Sequence, residues 1–455
     1  MNRELIIIGG GPAGYVAAIR AAQSGIGVRL IEKGDLGGTC LNAGCLPTKV
    51  LLRTGEFYHN AKMSAVPGVK STAELDWLSA LAHKHNVVRQ LRGGISRLLE
   101  SSGVQVITGC ATVLPGLNVM VGEERLSADF IILATGSINA EPRFEGNYPD
   151  GVIYSDAALA LQKAPKSIVV VGGGVIGIEF ATLFAYLGAD VTVVEKMPEL
   201  LPSADREIAG LLRKKMAADG VKVFLNARLD RVEKTEENLI AHIHSGDHTE
   251  EIQTEKVLIA VGRRPNTSQL GLEALGVAMD GDSVVVDSNF QTNVKGLYAV
   301  GDCNASLMLA HAAMAQGITA VDHFLGEKSN VSMKNIPSCV YSSPEIASVG
   351  KTEQELKEEG IPYETGRFSL SGNGKAIIES GSGLIKILAD KDFGEVFGVH
   401  MIGPNVTEMI AEAAICMQME GTVDDIIRTI HPHPTVSESL WEAAMAVKGR
   451  AIHGV

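Results

Sequence analysis

Short apolar runs bounded by glycine recur along the chain: LIII (5–8), FIIL (130–133), IVVV (168–171), VTVV (191–194), VLIA (257–260) and LYAV (297–300). Runs this short, rich in β-branched residues and not alternating, predict strands buried on both faces, as in a parallel sheet. Two of them lead into longer stretches of helical period whose alanines mark a face that must lie close to a sheet: ELIIIGGGPAGYVAAIRAAQSGIGVRLIEK and SIVVVGGGVIGIEFATLFAYLGADVTVVEK. Each therefore predicts a strand, a helix and a second strand. After about residue 335 the pattern changes. GLIKILAD and EVFGVHMIG read as strands and VTEMIAEAAICMQM as a helix, which predicts an α+β region.

The turns inside the two strand–helix–strand units add chemistry. The first carries Gly9-x-Gly11-x-x-Gly14 and ends at Glu32; the second carries Gly172-x-Gly174-x-x-Gly177 and ends at Glu195. In each, the acid follows the last glycine by eighteen residues. The first glycine allows a tight turn, the second lets backbone approach a pyrophosphate, and the third lets helix and strand pack closely. The free N–H groups of the helix start favour the phosphates, and the acid is placed for a ribose hydroxyl. Glu195 would repel a 2′-phosphate, so the second loop should prefer NAD to NADP. FIILATGS (130–137) and KVLIAVGRRPN (256–266) end in glycine turns and read as places where the chain crosses between domains. GLYAVGDC (296–303) ends a buried strand at Asp302, at the crevice outside the strand ends. The expected fold is α/β, with two Rossmann-like dinucleotide-binding domains and a C-terminal α+β domain. Its divisions are expected at 1–140, 141–265, 266–334 and 335–455.

Composition narrows the function. The 50 glycines cluster in these loops, and the formal charge of −13 argues against a nucleic-acid partner or a polybasic membrane anchor. No apolar run reaches the ~18 residues of a membrane-spanning helix. The N-terminal run enters a glycine loop directly and so reads as a strand rather than a signal peptide. A soluble, cytoplasmic protein without a metal site is expected. Six cysteines among 455 residues do not form a secreted disulfide framework. Cys110, Cys303, Cys339 and Cys416 are scattered and read as packing.

Cys40 and Cys45 differ. They stand five positions apart in GGTCLNAGCLPTK, on what reads as a glycine-flanked turn. Pro47 suits the first turn of a following helix, and Lys49 lies about one helical turn beyond Cys45. Such a loop can close as a disulfide and reopen, and the nearby positive charge favours the thiolate that does the exchange. Dithiol chemistry needs a proton acceptor, and histidine has a suitable pKa. HPHPTVSE (431–438) offers His431 and His433. Thr435-x-x-Glu438 also fits a capping box, so Glu438 has two readings, and Glu179 alone could be a surface helix charge.

The order and spacing of GGGPAG, GGTCLNAGCLPTK, ATG (134–136), GGGVIGIE, VGRRPN, VGDC, LAH (309–311) and HPHPTVSE make the chain resemble, end to end, the flavin-containing pyridine nucleotide–disulfide oxidoreductases. Within them it is most similar to those that oxidise dihydrolipoamide. The resemblance implies that FAD meets Gly9, Gly11, Gly14, Glu32, Lys33, Gly38, Thr39, Lys49, Cys110, Thr135, Gly136, Asp302 and Ala310. It implies that NAD meets Gly172, Gly174, Gly177, Glu195 and Gly262. Cys40 would exchange with substrate, Cys45 would lie against the flavin, and Lys49 would sit near it, paired with Glu179. His433 would be the base, oriented by Glu438. A homodimer is implied, the C-terminal region of each chain completing the other's site. The implied partners are lipoyl carrier domains of a 2-oxoacid dehydrogenase, acetoin or glycine-cleavage complex. Ala43, Thr48 and Pro432 depart from the usual residues of that family.

Overall fold

The N-terminal apolar run forms the strand Glu4–Ile8, whose Leu5, Ile6 and Ile7 are wholly buried. The structure is a computed structural model and describes residues 3–64, 68–142, 148–246 and 248–454. Glu4–Ile8 is central to an all-parallel five-stranded sheet, in the order Leu297–Ala299, Phe130–Leu133, Glu4–Ile8, Gly27–Glu32, Gln105–Thr108. Ile8 lies opposite both Ile31 and Leu133, so the loop that begins at Gly9 and the acid at Glu32 emerge side by side. The alanine face of the helix Pro12–Gln23 packs on this sheet and against the helix Ala310–Leu325.

The second unit repeats this plan. Lys222–Phe224, Asp190–Val194, Ser167–Val171, Lys256–Ile259 and Val152–Tyr154 form another all-parallel sheet, in that order. The repeat goes further than the glycine loops. Before the strand Phe130–Leu133 the first unit inserts an antiparallel three-stranded meander (Ala111–Leu114, Asn118–Val121, Glu124–Ser127), and the second inserts Ala227–Lys234, Leu239–Ser245 and His248–Thr254 before Lys256–Ile259. The two expected crossings pair with each other, Ser137–Asn139 running antiparallel to Arg263–Pro265. The strand Leu297–Ala299 then completes the first sheet after the second unit has been inserted.

The C-terminal region is an antiparallel sheet in the order Ser338–Val340, Glu345–Gly350, Val396–Gly403, Leu384–Asp390, Tyr363–Ser369. The helices Val406–Gln418 and Glu438–Val447 share its core. The α/β class with a C-terminal α+β region is therefore the observed one. Among the described residues, no helix is long and apolar enough to cross a membrane.

An ionic cluster joins this region to the second nucleotide unit. Lys386, on the strand Leu384–Asp390, is wholly buried, and so is the side chain of Asp205. The ammonium donates to Asp205 at 2.9 and 3.0 Å and to Glu353 at 2.7 Å, and Glu207 lies at 3.0 Å. Removing one partner of a buried pair leaves the other charge uncompensated. Lys386→Met should therefore destabilise the protein by about 3–5 kcal/mol. Lys222→Met, which removes an exposed partner 3.5 Å from Asp190, should change stability by less than about 1 kcal/mol. Urea unfolding of the two variants checks the contrast.

Candidate active site

A cavity of about 1430 Å³ is lined by both glycine loops. Gly9 has φ +109°, and a methyl on it would stand 2.2 Å from the Ala134 carbonyl oxygen. A methyl on Gly14 would stand 1.8 Å from the Gly9 carbonyl oxygen. These two are required by the protein's own packing. Gly11 is not: a methyl there would meet nothing closer than Gly38 Cα at 3.7 Å, and Gly11 lines the cavity. The second loop repeats the contrast. A methyl on Gly177 would collide with the Gly172 carbonyl oxygen at 1.9 Å, while one on Gly174 would meet no protein atom within 4 Å. The middle glycine of each loop thus keeps free a space that the protein does not fill. Two such cradles, at the N-terminal ends of the helices Pro12–Gln23 and Val175–Tyr186, fit two dinucleotides.

The acids behind the loops are held by backbone. Glu32 accepts from Gly10 N at 2.6 Å and from Gly34 N at 2.8 Å. Glu195 accepts from Gly173 N at 2.5 Å and Met197 N at 2.7 Å. Each oxygen keeps a further lone pair for a ribose hydroxyl. The acid therefore also buckles the glycine loop to the neighbouring strand, which the motif alone does not reveal.

The expected turn around the cysteines is in fact a helix–helix junction. Cys40 lies within the helix Gly38–Ala43, and Cys45 is the first residue of the helix Cys45–Lys62. Gly44 alone separates them, at φ −147° and ψ −113°, breaking one helix and starting the next. Cys45 therefore sits among the free N–H groups of an eighteen-residue helix. Both thiols line the cavity. The hydrogen bond from the Cys40 thiol is the main influence on Cys45. With help from the Lys49 ammonium and against burial, it pulls Cys45 down to about 7. The same bond, with burial, pushes Cys40 well above the usual thiol range. One proton is shared unequally, and the arrangement favours the thiolate on Cys45 over Cys40.

Lys49 donates to both oxygens of Glu179, at 2.7 and 2.8 Å. Glu179 is buried in the helix Val175–Tyr186 and is no surface charge. The Tyr341 ring lies 4.6 Å from the Lys49 ammonium, and Tyr341 N donates to Glu179 at 3.3 Å.

Lys33, Gly38, Thr39, Thr135, Gly136, Asp302 and Ala310 line the cavity beside the first loop, and Gly262 lines it beside the second. Asp302 accepts from the Ser137 hydroxyl at 2.5 Å. Arg263, which the sequence reading left out, donates to that hydroxyl at 2.7 Å and to Asn139 at 3.0 Å, and also lines the cavity. Its only signal was the VGRRPN crossing. The packing reading holds for Cys303, which is buried, and fails for Cys110, which is exposed on the cavity wall. No strand covers Cys110, since it lies between the edge strand Gln105–Thr108 and the meander. Cys339, half-buried, also reaches the cavity.

His433 and Glu438 form a pair outside the lining of this cavity. His433 Nδ1 lies 2.8 Å from Glu438 Oε1, and its side chain is 80 % exposed. The other oxygen of Glu438 accepts from Thr435 N at 2.9 Å, while the Thr435 hydroxyl donates to the Pro432 carbonyl. Only half of the capping box forms, and Glu438 serves both the helix start and the imidazole. Neither residue lines the cavity of its own chain.

Residues 3–317 match the pyridine nucleotide-disulphide oxidoreductase family, and residues 336–444 match its dimerisation domain. The chain is 42% identical to a dihydrolipoyl dehydrogenase of Bacillus subtilis, over 99% of both chains. It is 39% identical to the mitochondrial dihydrolipoyl dehydrogenase 1 of Arabidopsis thaliana, covering 99% of this chain and 92% of that one. Among solved structures, LpdA from Mycobacterium tuberculosis superposes with a TM-score of 0.89 at 29% identity, covering 97% of this chain and 99% of that one. The HOCl-induced flavoprotein disulfide reductase RclA from Escherichia coli superposes with a TM-score of 0.87 at 28% identity, covering 96% of this chain and 98% of that one.

Two outcomes follow from the geometry. Gly174→Ala should keep the thermal midpoint of the free protein yet weaken NADH binding at least about tenfold, the cost of a methyl at a close backbone approach. Gly177→Ala should instead lower the midpoint. Thermal melts with fluorescence titrations separate the two. In the reduced, nucleotide-free protein, the rate of iodoacetamide alkylation at Cys45 should rise with pH through an inflection near about 7, well below the ordinary 9.0. Lys49→Met should move that inflection upward, as read by mass spectrometry over a pH series.

Proposed function

The chain belongs to the pyridine nucleotide-disulphide oxidoreductase family, and from that premise we propose that it oxidises dihydrolipoamide, carried on a protein partner, and delivers the electrons to NAD⁺. The Cys40–Cys45 pair beside two nucleotide cradles in one cavity carries this reading. FAD on the Gly9–Gly14 loop supplies the two-electron carrier between the thiols and NAD⁺ on the Gly172–Gly177 loop. The residues named above for each cofactor would hold it, and Glu195 favours NAD⁺ over NADP⁺.

The chain's own residues handle sulfur and protons. A substrate thiol, deprotonated by His433, attacks the Cys40 sulfur of the closed disulfide, and Cys45 leaves as a thiolate. The second substrate thiol gives up its proton to Cys40 as it displaces the Cys40 sulfur, closing the substrate disulfide. Two protons leave the dithiol: one rests on Nε2 of His433 and one on Cys40. The raised proton affinity of Cys40 and the lowered affinity of Cys45 support that distribution. Lys49 balances the Cys45 charge and Glu179 fixes Lys49. Glu438 accepts the Nδ1–H of His433, which leaves Nε2 free to take a proton.

A homodimer follows from the same reading. The dimerisation-domain match and the absence of His433 from the lining of its own chain's cavity support a site built from the cysteines of one chain and the histidine of the other. The chain divides into four regions, with boundaries after residues 140, 265 and 334; the partner is a lipoyl carrier domain of a 2-oxoacid dehydrogenase, acetoin or glycine-cleavage complex, and the location is the cytoplasm. Stopped-flow mixing of the FAD-loaded protein with dihydrolipoamide and then NAD⁺ tests the assignment, and one NADH should form per dithiol. Absence of NADH while the flavin stays bound would sink it. His433→Gln should slow the dithiol step by roughly 10²–10⁴-fold, the usual worth of a general base, while NADH oxidation by ferricyanide continues.

A further inference from the structure

The segment that presents His433 is fastened by a second histidine. His431 is only 5 % exposed in its side chain, whereas His433 is 80 % exposed. Both ring nitrogens of His431 are engaged: Nε2 lies 2.5 Å from Glu412 Oε1, and Nδ1 lies 3.0 Å from the Thr429 carbonyl oxygen. A carbonyl and a carboxylate only accept, so satisfying both bonds at once requires both ring nitrogens to donate, as an imidazolium does. Glu412 stands on the helix Val406–Gln418, which belongs to the core of the C-terminal region. Other ties hold the segment as well: Asn373 donates to the Thr435 carbonyl at 2.9 Å, the Thr435 hydroxyl to the Pro432 carbonyl at 2.8 Å, and Thr435 N to Glu438 at 2.9 Å.

We propose that the His431–Glu412 pair is a positioning device for His433, holding the base-bearing segment to a rigid helix by an anchor that forms fully only while His431 carries both protons. The inference rests on His433 being the base. Burial disfavours the imidazolium, and the bond to Glu412 outweighs it and raises the proton affinity of His431 above the ordinary value. The groups facing the ring are Glu412 from the helix Val406–Gln418 and Glu438 from the helix Glu438–Val447. Glu408 and Lys375 stand across a small adjoining pocket, Lys375 being paired with Glu379. A raised folded-state pKa means that the anchor is complete below the ordinary histidine pKa and weakens as pH rises through the raised one. A neutral His431 must turn a lone pair toward the Glu412 carboxylate or the Thr429 carbonyl, and the ring then loses one of its two bonds. Turnover with dihydrolipoamide should accordingly fall on the alkaline side.

Two substitutions of Glu412 separate positioning from mere stability. In Glu412→Gln the amide can donate to neutral Nε2 or accept from a protonated one, so the anchor survives at every pH. In Glu412→Ala it is absent at every pH. The experiment measures kcat and KM for dihydrolipoamide oxidation by the FAD-loaded enzyme over a pH series, with thermal midpoints and NADH–ferricyanide turnover as controls. Glu412→Ala should lower kcat at least tenfold throughout, with KM and both controls little changed. Glu412→Gln should recover kcat to within about threefold of the native enzyme and remove the alkaline fall. Equal kcat for the two variants, or an alkaline limb unmoved by glutamine, would overturn the proposal. His433→Gln tells the two levels apart. If it slows the dithiol step while Glu412→Ala does not, the anchor fails and the base assignment stands. If His433→Gln turns over dithiol normally, the base assignment fails and the anchor falls with it.

Discussion

The ion pair between Lys49 and Glu179 sets the conditions for the rest of the site. It joins the helix that begins with Cys45 to the helix that begins at the second glycine loop. Those helices come from the two halves of an internal duplication, each with its own parallel sheet. Without a tie between them, two nucleotide cradles would be two separate sites. The pair also supplies the charge that the sulfur chemistry needs. Lys49 favours the Cys45 thiolate, and Glu179, buried and already neutralised by it, opposes that effect only in part. One contact thus couples the architecture to the choice of which sulfur stays charged.

The duplication was legible because its constraints are local. A methyl on Gly14 or Gly177 strikes backbone of the same loop, so the spacing of glycines follows from a collision inside a few residues. The strand runs were legible for a similar reason, since burial on both faces leaves no polar position in Leu5–Ile7 or Val169–Val171. The meanders were less visible. Their strands are half-exposed and mix charged with apolar residues, as in ARLDRVEK, so no continuous run marks them.

What the sequence hid are the contacts made between distant stretches. Arg263 and Ser137 meet because two crossings form a ribbon, a pairing across more than a hundred residues with no local signature. The backbone bonds to Glu32 and Glu195 were hidden differently: the motif points to the acid's outward role and says nothing of its inward one. The junction at Gly44 was misread as a turn because glycines flank both cysteines, and a single glycine between two helices has the same composition as a loop. The packing reading of Cys110 failed because a scattered cysteine is more often packed than exposed, whereas the resemblance had set it beside the FAD loop.

The separation of His433 from the cysteines follows from the same physics. Disulfide exchange needs a site open enough for a second sulfur pair to enter, while holding two dinucleotides on backbone amides needs an enclosed one. A chain that supplied every group to a single cavity would have to reconcile the two. Here the thiols lie on the wall of a cavity built by the duplicated sheets. The imidazole stands on the surface of the antiparallel region, its Nδ1 held by Glu438 and its Nε2 facing outward. A base that exposed is of use only where another surface approaches it. On the proposed reading the C-terminal region would be both the means of association and the source of the last reactive group, so association and proton transfer would depend on one surface.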